Sequence, residues 1–94
     1  MTIRRSLEMS LSREEFFRLL PSAVGSHHVG KDGVVSGSDG SRCWTIHLLP
    51  LSDGRLGRVA LPRHQIEISF DGHRDEEVET FMARFHRGFQ RGGG

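Results

Sequence analysis

Residues Ser41–Phe70, SRCWTIHLLPLSDGRLGRVALPRHQIEISF, hold the longest run of strand signals in the chain and its single Trp. Trp44, Ile46 and Leu48 alternate with Cys43, Thr45, His47 and Leu49, and farther on Ile66, Ile68 and Phe70 alternate with Gln65, Glu67 and Ser69. A period of two is that of a strand with one face buried. The stretch therefore predicts the middle of an antiparallel sheet. Between its two clearest strands, Pro50 ends the first, Asp53-Gly54 supplies a turn, and Arg58–Leu61 predicts a returning strand that Pro62 breaks or bends.

Upstream of this core, Ser22 to Ser41 is rich in Gly and Ser and has few apolar anchors beyond Val24, Val29, Val34 and Val35. A short strand is expected around Val34–Gly37. It leads into the Cys43–Leu49 strand through Asp39-Gly40, a dipeptide favoured in type I′ hairpin turns. Gly30-Lys31-Asp32-Gly33 reads as a tight turn. Ahead of these, Ser12-Arg13-Glu14-Glu15 is a capping box, with the Ser12 hydroxyl accepting from the Glu15 amide. Phe16, Leu19 and Leu20 share one face of the helix that follows, and Pro21 is expected to stop it. Residues 3–10 alternate as a first strand, with Leu7 and Met9 turned inward.

Downstream, Asp71-Gly72 closes the last strand and a second helix follows. Asp75, Glu76 and Glu77 occupy its first turn, and His86, Arg87 and Arg91 lie toward its end, so the charges match the helix dipole. Val78, Phe81, Met82, Phe85 and Phe89 form an apolar stripe at helical spacing, the expected clamp of helix on sheet. Gly88 falls within that helix, marking close packing or an early end.

The predicted fold is α+β in the order β-α-β-β-β-β-α: an antiparallel sheet of about four to five strands with two helices on one face. The other face would be open, displaying Thr45, His47, Gln65 and Glu67. Residues 1–91 are expected to form a single domain followed by a flexible Gly tail at 92–94. At 94 residues such a domain buries only about 60–65 % of its unfolded surface.

Composition excludes several classes of function. Hydrophobic residues at 35 % and charged residues at 27 % place the chain among globular proteins, not disordered ones. A formal net charge of +1 gives no field that would draw nucleic acid or an anionic membrane. Cys43 is alone, so a disulfide-stapled secreted fold is not expected, and no segment approaches the ~20 apolar residues of a membrane span. The N-terminus lacks the apolar run of a secretory signal. A cytoplasmic protein is the expectation.

The motifs give no enzyme a clear footing. His27, His28, His47 and His64, with Cys43, are metal-ligand types, but they follow no ligating spacing. Cys43 and His47 would share a strand face some 13 Å apart, so a Cys–His dyad would need His64 from a neighbouring strand. No nucleophile elbow, dinucleotide loop or phosphate loop is present, and the acidic clusters belong to helix first turns. No catalytic residue, metal ligand or cofactor is assigned.

Three functional expectations follow. The first is a small non-enzymatic accessory or interaction domain that self-associates through the open sheet face or a sheet edge, with itself or another protein as partner. The second is an anion or nucleic-acid binding module, using a patch of Arg42, Arg55, Arg58, Arg63 and His64. The third rests on Gly92-Gly93-Gly94, which is similar to the exposed di-glycine tail of ubiquitin-like sulfur carriers and modifiers. That resemblance implies a carrier acting through Gly93 and Gly94, whose terminal carboxylate would be adenylated. In those families the tail leaves a strand of a β-grasp fold, whereas here it follows a helix.

Overall fold

The structure, a computed structural model, describes residues 2–52 and 54–90, without the side chains of residues 54–56. It is the α+β fold that the sequence predicts. In chain order the elements are β1 (Thr2–Met9), α1 (Arg13–Val24), β2 (His28–Val29), β3 (Val35–Asp39), β4 (Arg42–Pro50), β5 (Gly54–Leu56), β6 (Val59–Leu61), β7 (His64–Asp71) and α2 (Asp75–Phe89). A five-stranded antiparallel sheet has the order β1-β7-β4-β3-β2, and β5 pairs with β6 separately. No described helix is long and apolar enough to cross a membrane.

Register places the core. Ile3 opposes Phe70 and Phe70 opposes Trp44; Leu7 opposes Ile66 and Ile66 opposes Leu48. These rows face the helices, and Ile46, Ile66, Ile68 and Phe70 are fully buried beneath them. From α2, Val78, Met82, Phe85 and Phe89 complete the core, with Phe81 half-buried between Trp44 and Phe70 at ring-centre distances of 5.2 and 4.9 Å. Each buried large apolar side chain is worth about 1.5–3 kcal/mol. The stripe read in the sequence is thus the clamp of α2 on the sheet.

Each helix starts as its sequence dictates. The Glu15 amide donates to Ser12 Oγ at 3.1 Å, and at α2 the Arg74 amide donates to Glu77 Oε1 at 2.8 Å. Gly88 reports close packing: a Cβ there would stand 2.3 Å from Ala23 Cα, so the two helices touch backbone to backbone.

Pro21 does not stop α1. The helix continues through it to Val24, and the Gly25 amide closes the last turn on the Pro21 carbonyl at 2.9 Å. Proline removes one helical hydrogen bond and crowds the preceding turn. Here Leu20, Ala23 and Val24 are all buried, and their packing against α2 and the sheet outweighs that loss.

Three local expectations also change. The β3–β4 loop is Gly40-Ser41, closed by the pair Asp39↔Arg42; Gly40 has φ +63° and no non-glycine residue has positive φ among the described residues. Glycine with positive φ at the first central position is the type II′ pattern, since a type I′ turn centred on Asp39-Gly40 needs positive φ at both. Arg58–Leu61 does not enter the main sheet. Its residues from Val59 pair with β5 in a ribbon that turns at Gly57-Arg58, and β4 pairs directly with β7. Asp53, half of the expected turn, lies outside the described residues. Finally, the two-residue β2 adds a strand to the far side of β3, followed by the tight turn Gly30–Gly33, whose Gly33 amide donates to the Gly30 carbonyl at 3.0 Å.

Candidate interaction surface

With both helices on one face, the other face of the sheet is built from the alternate residues of each strand. The register lays them out in rows: Arg4–Ser69–Thr45–Ser36–His28, then Ser6–Glu67–His47, then Glu8–Gln65–Leu49. Thr45, His47, Gln65 and Glu67 therefore share one surface, as the strand period implies. The surface is polar and mixed in charge. A shallow hollow of about 310 Å³ opens on it between β1, β7 and β4, walled by Arg4, Ser6, His47, Leu49 and Glu67.

Beside that hollow lies the edge of the sheet. β1 is eight residues long and is paired with β7 on one side only. In an antiparallel ladder alternate residues turn their N–H and C=O groups away from the partner, so the outer side of β1 carries backbone donors and acceptors that no described strand pairs, the Arg4 carbonyl accepting from the neighbouring Arg5 Nη1 at 3.2 Å. Its side chains alternate between the two faces. Ile3, Leu7 and Met9 are half-buried toward the helices, with Arg5 among them reaching Glu79 of α2 at 3.2 Å. Thr2, Arg4, Ser6 and Glu8 are exposed on the open face. Ser6 Oγ accepts from Gln65 Nε2 at 2.9 Å, and Glu8 is ion-paired with Arg63.

A second hollow, about 600 Å³, runs between α2 and the β3–β4 hairpin, floored by Trp44 and Phe81 and flanked by Arg42, Glu77 and Arg84. Part of its charge is spent within the chain: Arg42 holds Asp39 at 2.7 Å and is also paired with Glu77.

The residues singled out in the sequence do not gather into one place. Arg42 begins β4, while Arg63 and His64 sit by the start of β7, opposite the end of β4 at Pro50. Eight residue steps of strand separate the two groups by roughly 27 Å. Arg63 pairs with Glu8 and donates to the Ser52 carbonyl at 3.2 Å. Arg58 lies in the turn of the β5–β6 ribbon, and Arg55 is in β5 with its side chain outside the description. Arg42 thus stands apart from Arg63 and His64, and the residues do not all converge on a single patch. Gly93 and Gly94 lie outside the described residues.

The histidines are equally dispersed. His47 opposes Glu67, whereas His64 opposes Pro50 on the helix-facing side and donates from Nδ1 to the Leu11 carbonyl at 2.9 Å. His27 donates from Nδ1 to the Gly25 carbonyl at 2.7 Å. Cys43 is exposed opposite Asp71, at the other end of β7 from His64, so these two cannot form a dyad within the chain. Among the described residues no three His, Cys, Asp or Glu side chains are placed to hold a metal ion together.

The β1 residues Arg4, Ser6 and Glu8 were not singled out by sequence reasoning. Their alternation was visible; their place at an edge was not, because it depends on β7, over fifty residues away. Compared with family models, curated proteins and solved structures, the chain finds no match in any of the three.

Proposed function

We propose that this is a non-enzymatic accessory domain that works by association, and that its first partner is a second copy of itself. The observation that carries the reading is β1: a long, regular strand paired on one side only, beside a sheet face that neither described helix covers. Such an edge is a template for adding a strand, and backbone hydrogen bonding supplies the affinity. The β5–β6 ribbon adds a second feature of the same kind. It stands apart from the main sheet with Val59 at 58 % and Leu61 at 37 % exposure, and a two-stranded ribbon gains stability from anything it packs against. A cytoplasmic setting belongs to the proposal, since the lone exposed Cys43 suits a reducing compartment.

Sedimentation velocity of the full chain over a wide concentration range tests this reading. It predicts a reversible, concentration-dependent shift from monomer to dimer. A monomer at every concentration would contradict it.

A further inference from the structure

Charged residues on an edge strand ordinarily keep it from pairing with strangers. On β1 their order does something more selective. When two copies of one strand pair antiparallel across a twofold axis and continue the sheet, each residue opposes one on the same face, so the axis must pass through a residue. Four axes keep most of β1 engaged: Arg4, Arg5, Ser6 and Leu7. An axis at Arg4 or Arg5 sets that arginine against its own copy, with like charges directly opposite. An axis at Leu7 aligns only residues 5–9 and leaves Arg4 beyond the overlap.

The axis at Ser6 behaves differently. It aligns residues 3–9 of both copies, with Arg4 opposite Glu8, Glu8 opposite Arg4, Ile3 opposite Met9 and small Ser6 opposite itself. Both ion pairs would lie on the open face, where Arg4, Ser6 and Glu8 are exposed. Among the described residues Arg4 has no acidic partner in its own chain, so it is available. Glu8 would then sit between Arg63 of its own chain and Arg4 of the second copy.

We infer that two copies of this chain join β1 to β1 about a twofold axis at Ser6, forming a continuous ten-stranded antiparallel sheet in which Arg4 of each copy pairs with Glu8 of the other. The inference rests on the reading of β1 as the association edge and adds its register. The charge pattern acts in both directions, favouring this alignment and disfavouring those centred on Arg4 and Arg5, while the Leu7 axis is set aside by its shorter overlap. Both copies place their helices on the same side of the joined sheet, so the two open faces merge and the hollows beside Arg4 come to lie on either side of the seam.

Charge exchange and cross-linking test the register. Arg4→Glu and Glu8→Arg should each weaken dimerisation about ten-fold, because each sets like charges opposite one another twice. The double variant should recover to within about three-fold of wild type, a result that simple loss of folding could not give. In a Cys43→Ser background, Ser6→Cys should be joined to its copy by a short bifunctional maleimide. Thr2→Cys should not, because its copy would be roughly 27 Å away. A dimeric wild type with neither charge-exchange rescue nor cross-linking of the Ser6→Cys variant would overturn the register and leave self-association standing. A wild type that never dimerises would overturn both.

Discussion

The two edges of the sheet are built in opposite ways. At one end β2 has two residues, His28 and Val29, and the chain leaves it at once through the turn at Gly30–Gly33. At the other end β1 runs straight for eight residues, in register with β7 along its whole length. Brevity is a common way to blunt an edge, and β2 uses it. β1 has no such device; it keeps its length and carries charges whose order would favour a self-pairing centred on Ser6 over those centred on Arg4 or Arg5. The contrast teaches that exposure alone does not mark an interface: a bare edge becomes informative when its side chains are self-complementary.

The edges also differ in how they are tied to the core. Both lean on the central pair β4 and β7, so the largest effect is expected there. Ile66 on β7 is fully buried between Leu7 and Leu48, and Ile66→Ala should cost about 2–5 kcal/mol in urea unfolding. At the short edge, Gly37 of β3 lies under the Trp44 indole, where a Cβ would come 2.3 Å from the ring. Gly37→Val should therefore displace Trp44 from Phe81 and cost about 1–3 kcal/mol, with a matching change in tryptophan fluorescence. At the long edge Leu7 is half-buried, and Leu7→Ala should cost about 1–2 kcal/mol, less than its row-mate Ile66.

The smallest stability effects separate the edges most sharply. Ser6→Lys and Val29→Lys both change exposed residues, and each should alter unfolding by no more than about 0.5 kcal/mol. Ser6→Lys places two ammonium groups against each other at the axis and should weaken dimerisation about ten-fold. Val29→Lys should leave it unchanged. The reverse outcome in sedimentation would move the interface to β2 and break the comparison.

Much of this was legible in the sequence because it is local. The period of two at Trp44–Leu48 and Ile66–Phe70, the stripe from Val78 to Phe89 and the cap at Ser12 each need only a few neighbouring residues to be read. The α+β class and the open face followed from them. What was not legible depends on distant partners. Pro21 looks like a stop until Ala23 is seen against Gly88, and the Val59–Leu61 strand looks like part of a meander until β4 is seen paired with β7. The candidate site was hidden in the same way. Arg42 and Arg63 invite grouping by type, yet antiparallel pairing sends them to opposite ends of β4, while Arg4 and Glu8 gain meaning only once β1 is known to be the edge.

Backbone amide hydrogen exchange, followed residue by residue in dilute and concentrated samples, tests the central claim most directly. If β1 is the association edge, the outward-facing amides of alternate residues between Ile3 and Met9 exchange quickly when dilute and become protected when concentrated. The amides of His28 and Val29 should not change. Protection that appears at β2 instead, or β1 amides that exchange equally fast at every concentration, would contradict the account.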